Sequence, residues 1–165
     1  PRFIGIRSIR PVKPEASARY DALDRTYEYK ITRVKDPIMV GHTYYFFRPL
    51  DIPTMERATA LLIGEHDFQC FSKVHTDVNN FICNIKQVKW NQKGDLLVLT
   101  ITANRFLRGM VRSIVGTLLD VGSKKITIKQ FQEILKSKDR KQAGVNVPPE
   151  ALYLVHVKYP KSIFI

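Results

Sequence analysis

The sequence predicts an α+β fold: a single domain over residues 1–165, with a mainly antiparallel sheet and helices packed on one face. Three observations carry this expectation. Several stretches rich in Val, Ile and Tyr alternate apolar and polar residues with the period of a strand. Other stretches place apolar residues three and four apart, as the buried face of a helix does. Gly and Pro punctuate the joins between them. Hydrophobic residues make up 44% of the chain and charged residues 25%, as in a globular protein. A chain of this length can bury roughly 70% of the surface it exposes unfolded.

Residues 3 to 12 alternate weakly before Pro14 and predict a first strand. From Arg25 to Arg33 the alternation is clean, with Tyr27, Tyr29 and Ile31 on one face and Thr26, Glu28, Lys30 and Thr32 on the other. Asp36, Pro37 and Gly41 break the chain. The aromatic run from Tyr44 to Phe47 then leads to Asp51, a helix cap with Pro53 in the first turn, and the helix stops at Gly64. Residues 81 to 90 and 95 to 103 predict two antiparallel strands joined at residues 91 to 94. A helix over residues 106 to 121 follows from apolar positions 107, 110, 111, 114, 115, 118 and 119. Thr127 caps a shorter helix with Ile128, Phe131, Ile134 and Leu135 as its stripe, and residues 151 to 159 close the sheet. The order β-β-α-β-β-α-α-β leaves one sheet face free, and folds of that geometry often bind unpaired RNA there.

Lys and Arg number 27 against 15 Asp and Glu, a formal net charge of +12 that favours a polyanionic partner. No apolar run approaches the roughly 18 residues of a membrane span, and the chain has no secretory leader pattern. A cytoplasmic protein without membrane attachment is expected. Cys70 and Cys83 lack metal-site spacing and read as reduced core thiols. His42, His66, His75 and His156 form no HxxH or HExxH pair, and no phosphate-cradling glycine loop is present. Metal hydrolysis is therefore not expected, and the known nucleotide-cofactor motifs are absent. The chain opens at Pro1 without Met and runs into strand-like residues, which suggests a start inside a longer protein.

Arg112 is the unusual residue, a cation in the middle of an apolar helix. A guanidinium there either snorkels to water or meets an acid or phosphate at a cleft, because burying it unpaired is costly. Helical spacing would give Arg105, Arg108 and Arg112 a shared edge for a phosphate backbone. Tyr27 and Tyr29 on one strand face are either ordinary packing or a stacking platform for a base, flanked by Arg19 and Arg25 for phosphates.

Together these residues form a recognisable set. Residues 18 to 29 read Ala-Arg-Tyr-Asp-Ala-Leu-Asp-Arg-Thr-Tyr-Glu-Tyr, which resembles the AR-x-x-A-x-x-R-x-Y-x-Y strand entry of the tRNA pseudouridine synthase A family. Four more blocks agree in order and spacing. They are residues 62 to 68 with Phe71-Ser72; residues 101 to 116, including Met110-Val111-Arg112 and Ile114-Val115-Gly116; Lys138-Asp139-Arg140; and Ala151-Leu152-Tyr153-Leu154.

The resemblance implies an enzyme that flips a uridine from the anticodon arm of tRNA, attacks it with an Asp, breaks the glycosidic bond and rejoins the base through carbon, with no cofactor. It implies that Tyr27 packs on the target base, that Arg112 pairs with the nucleophilic Asp, and that the protein is a homodimer. The family's R-T-D-x-G-V-H nucleophile motif has no match here. None of Asp21, Asp24, Asp67 or Asp120 takes its place, and no role is assigned to His75 or Asp77. The expectation is thus a C-terminal half whose partners are tRNA and a missing N-terminal half, inactive by itself. Residues 148 to 152, Pro-Pro-Glu-Ala-Leu, depart from a family pattern that often reads Ala-Pro-x-Gly-Leu. A non-catalytic RNA-binding module is the alternative, and a purely structural or dimerising domain a third class.

Overall fold

Strand β1 (Asp24–Thr32) is the element on which the sheet is built. The computed structural model describes residues 2–73, 78 and 80–165. Along one edge β1 pairs antiparallel with β5 (Leu96–Ala103) over its length, from Arg25 opposite Ala103 to Thr32 opposite Leu96. Its other edge is shared: β6 (Leu152–Lys158) pairs antiparallel over residues 24–29, and the short β2 (Tyr44–Tyr45) pairs parallel at Ile31 and Thr32. Beyond β5 lie β4 (Ile82–Lys93) and then β3 (Gly64–Asp67), giving a six-stranded mixed sheet, antiparallel except at β2.

Three helices complete the α+β fold among the described residues: α1 (Ile52–Ala60), α2 (Met110–Gly122) and α3 (Ile128–Ser137). Their starts follow local chemistry. Asp51 accepts the Thr54 amide at 3.0 Å, and Thr127 and Gln130 cap each other reciprocally. Every residue of α2 is buried except Arg112 and Asp120. Its apolar side chains join Tyr29, Ile31, Leu97, Leu99 and Ile101 from the sheet in one core. Each such large apolar side chain contributes roughly 1.5–3 kcal/mol on full burial.

Three expectations from sequence need correction. Residues 3 to 12 form no strand. Only Val12 bridges Phe164, and Phe3 and Ile9 are 92% and 86% exposed. Alternation supplies a face, but a strand also needs a neighbour for its backbone, and this segment has none beyond that bridge. The second departure is at α2, which starts four residues later than its apolar period suggests. Gly109 takes a left-handed φ of 79° at its N-cap, so residues 106–109 turn into the helix while still burying Leu107. Third, the hairpin between β4 and β5 is tighter than residues 91 to 94 imply. Lys93 pairs with Leu96, leaving Gly94 (φ 58°) and Asp95 as the turn. The strands β2 and β3, two and four residues long, were too short to register as periodic signals.

The loop after α3 crosses α2 at close range. A Cβ on Gly116 would lie 1.9 Å from the Val145 carbonyl oxygen, and one on Gly144 would lie 2.9 Å from the Gly116–Thr117 backbone. Thr117 Oγ1 donates to the Ser113 carbonyl at 2.8 Å and accepts the Gly144 amide at 2.9 Å.

Glycine in a helix normally costs about 1 kcal/mol relative to Ala. Here the clash outweighs that gain, and Gly116→Ala is expected to lower stability by about 1–3 kcal/mol, the usual scale of overpacking. A urea titration reads this directly, and a rise in the midpoint would show that the crossing is looser than described. A second expectation concerns pH. Burial pushes the Cys70 thiol up to about 12, with the Asp67 carboxylate adding to it, and burial pushes Cys83 up to about 11. The unfolded thiols ionise near about 8.5, so the stability linked to these protons is full below that pH and is lost as pH rises toward the folded values. The urea midpoint should fall between about pH 8.5 and 11, and less steeply in a Cys70→Ala/Cys83→Ala protein. Equal slopes would contradict the burial.

Candidate active site

Arg112 lies in the first turns of α2 and is half-buried. Its Nε donates to the Val147 carbonyl at 2.5 Å, and the Val147 amide returns a bond to the Arg112 carbonyl at 3.4 Å. The guanidinium is therefore fixed in direction. Its two terminal nitrogens have no hydrogen-bond partner, and no carboxylate lies within ion-pair distance, among the described residues.

The segment that holds it is itself held. Arg140 donates to the carbonyls of Ala143 and Gly144 at 3.2 and 3.1 Å and to Asn146 Oδ1 at 3.2 Å. One residue past Val147, the Pro148 carbonyl accepts the Tyr29 hydroxyl at 2.8 Å. Burial, reinforced by Glu150 and Tyr44 and partly offset by Arg112, drives the Tyr29 hydroxyl well above its ordinary range. It stays protonated and serves as a neutral anchor.

Two residues before Tyr29 on the same face, Tyr27 meets Phe106 edge to face, with ring centroids 5.1 Å apart and planes at 88°. Tyr27 is half-buried, and its hydroxyl has no hydrogen-bond partner among the described residues. Phe106 in turn lines a cleft of about 570 Å³ with Arg19, Tyr20, Arg25, Asn104 and Arg105. From that cleft through Tyr27, Tyr29, Pro148 and Val147 to Arg112, the candidate residues form one continuous run.

The structure thus brings Arg19, Arg25 and Arg105 together, although it separates the arginines that were to share a helix edge. Arg105 and Arg108 precede α2 and do not follow its spacing, because Gly109 breaks the helical path. Arg105 donates to Asn80 Oδ1 at 3.2 Å, while Arg108 stands exposed in the turn. Arg25 has a structural duty. Its guanidinium bonds the carbonyls of Ala22 at 2.8 Å, Asn104 at 2.7 Å and Arg19, clamping the loop before β1 to the end of β5. Arg19 lies over the Tyr20 ring at 5.3 Å.

The run lies on the helix-bearing side of the sheet, because Tyr27 and Tyr29 face α2, and not on the free face. That free face is polar, with Thr26 bonded to Thr102 at 2.9 Å and Glu28 beside Lys30. Sequence reasoning missed the holding role of residues 140 to 148, whose only local signals are Gly144 and the two prolines at 148 and 149. His66 bonds the Ile63 carbonyl at 3.0 Å and packs on Phe68, and the carbonyl of His42 accepts the Tyr153 hydroxyl at 2.8 Å. His75 and Asp77 lie outside the described residues. No three His, Cys, Asp or Glu side chains gather as a metal-ligand set among the described residues, and no helix there is long and apolar enough to cross a membrane.

The sequence profile of the tRNA pseudouridine synthases matches residues 58–160. The tRNA pseudouridine synthase A of Parabacteroides distasonis is 48% identical over 164 residues, 99% of this chain and 65% of that protein. That of Porphyromonas gingivalis is 48% identical over 168 residues, covering 100% and 66%. That of Legionella pneumophila strain Paris is 37% identical over 164 residues, covering 98% and 63%. The chain therefore spans about two thirds of the length of these curated relatives. With matches of this extent across the blocks that build the Arg112 and Tyr27 run, the chain belongs to the tRNA pseudouridine synthase family.

Proposed function

We propose that this chain supplies the Arg112 and Tyr27 side of an active site that isomerises uridine to pseudouridine in the anticodon arm of tRNA. One observation carries the reading: Arg112 is held in direction by Val147, yet its terminal nitrogens lack any acid among the described residues. A half-buried guanidinium in that state is prepared for a carboxylate. A charge pair formed there, shielded from water, would be stronger than one at the surface.

In this reading the nucleophilic Asp belongs to a part of the protein outside these 165 residues, since the sequence holds no Arg-Thr-Asp triplet. The isomerisation exchanges one bond for another. The N1–C1′ bond breaks, the base turns, C5 bonds to C1′, C5 gives up its hydrogen as a proton, and N1 gains one. Tyr27 offers its ring to the flipped base, with Phe106 behind it to keep that ring from rotating away. Arg19, Arg25 and Arg105 surround the adjoining cleft, where backbone phosphates are attracted by the net charge of +12. Arg108 adds an exposed cation in the adjoining turn. The substrate is tRNA, the partners are the remainder of the protein and a second copy of it, and the setting is the cytoplasm. No cofactor is required.

Release of hydrogen from uridine C5 in unmodified tRNA measures turnover. In the complete protein, Arg112→Ala is expected to lower kcat about a hundredfold or more, the scale on which removal of one preorganised charge acts, while leaving most of the tRNA affinity. Arg112→Met keeps the packing of the side-chain stem and should behave alike. Lost binding with normal turnover at saturating tRNA would contradict the role. Replacing Tyr27 by Ala should cost about 1–3 kcal/mol of stacking. Tyr27→Phe tells whether the unpaired hydroxyl acts: full activity assigns the ring alone. The 165-residue chain by itself is expected to release no hydrogen, and turnover by it would mean that one of its own acids is the nucleophile.

A further inference from the structure

At its far end α2 reaches a second cleft. Ten residues separate Arg112 from Gly122, about 15 Å at about 1.5 Å per residue. There the loop entering α1 faces the turn leaving α2 across a cavity of about 630 Å³, lined by Arg48, Leu50, Asp51, Ser123, Lys124 and Lys125. The two segments are joined by the Asp51 amide, which donates to the Gly122 carbonyl at 2.9 Å. A Cβ on Gly122 would come within 2.3 Å of Met55 Sδ and 2.8 Å of Leu50, so the floor is closely packed.

The charges of this cleft are not balanced internally. Lys125 pairs with Asp120 at 3.2 Å, and the Asp51 carboxylate accepts the Thr54 amide as the cap of α1, held below its ordinary range by that bond first and by the nearby charges of Lys124 and Arg57 as well, one carboxylate beside several cations. Arg48 and Lys124 remain. Both are exposed, and their side chains make no hydrogen bond or ion pair among the described residues. Lys124 also stands at φ 61°, the left-handed conformation that Gly or Asn normally takes after a helix. A side chain there costs about 1–2 kcal/mol. The cation is near the C-terminal end of α2, which favours it, but that local effect does not account for Arg48, which arrives from a different segment.

We propose that this cleft is a second phosphate contact for the RNA, remote from Arg112, an inference that rests on the synthase reading. Arg48 and Lys124 are two exposed cations, without hydrogen bond or ion pair among the described residues, that line one cleft from separate loops over a packed floor. They lie at the C-terminal end of α2, the helix whose first turns carry Arg112. A backbone held at both ends of α2 is fixed in register relative to the base at Tyr27. Phosphate contacts position nucleic acid without reading its sequence, so this site orients the tRNA and leaves the choice of uridine to the other end.

The test uses the complete protein and the doubly changed Arg48→Ala/Lys124→Asn, in which Asn tolerates the left-handed backbone. Affinity for unmodified tRNA, measured by filter binding against salt, should fall roughly tenfold, and the slope of log affinity on log salt should become shallower by about 1.4–1.8, the release of two counterions. The kcat for hydrogen release should not change. A Lys35→Ala/Lys93→Ala protein removes the same charge from other exposed positions and should bind nearly as the unmodified one. Unchanged affinity and slope in the first variant, or an equal loss in both, would overturn the cleft as a site. Because binding is read separately from turnover, absence of hydrogen release by the unmodified protein would instead strike the synthase reading.

Discussion

The pair of hydrogen bonds between Arg112 and Val147, one from the Arg112 Nε to the Val147 carbonyl and one from the Val147 amide to the Arg112 carbonyl, is the contact on which the candidate site depends. A helix as buried as α2 can admit a charge only where something outside the helix stops it from collapsing onto the core or swinging into water. The 140–148 segment provides that stop. It can approach closely enough only because Gly116 and Gly144 lack side chains at the crossing. Burial of α2, close crossing, carbonyl at the right place and a directed guanidinium form one causal sequence. The same segment continues to Pro148, where the Tyr29 hydroxyl is bound, so the strand and the helix are registered against each other by adjacent residues of one loop.

Most of the fold was legible in the sequence because its long elements carry periodicity. The alternation around Tyr27, Tyr29 and Ile31 is β1, and the capping chemistry of Asp51 and Thr127 is seen where it was expected. The failures have physical causes. Residues 3 to 12 had a face but no neighbour. Leu107 fitted the helical period although it lies in a turn, because burial and not helix geometry sets where apolar residues go. Arg112 could be singled out as an oddity within its helix, and Tyr27 through the resemblance of residues 18 to 29. That Val147 would hold Arg112 could not, because the contact joins residues 35 apart in a segment without regular structure.

Charge explains how a protein with an excess of cations can still place them. Every ion pair among the described residues is made by a lysine, whereas Arg25, Arg33, Arg112 and Arg140 are all fixed by neutral backbone carbonyls. A carboxylate would position a guanidinium equally well but would cancel its field. A carbonyl dipole uses one or two of the five N–H groups and leaves the full charge acting outward. The planar fork of arginine permits this division of labour, since one edge can be bonded while another stays free, a geometry that the point charge of lysine lacks.

The division also separates two kinds of arginine that composition treats alike. Arg25 has its guanidinium engaged by three carbonyls, so its geometric contribution is to hold the loop carrying Arg19 against β5, and its charge acts at longer range. Arg112 uses Nε alone and keeps both terminal nitrogens. An incoming anion finds two of the five N–H groups uncommitted at Arg25 but four at Arg112. By that measure the cleft beside Phe106 attracts, while Arg112 is the position at which a bidentate acid can be received without disturbing the fold.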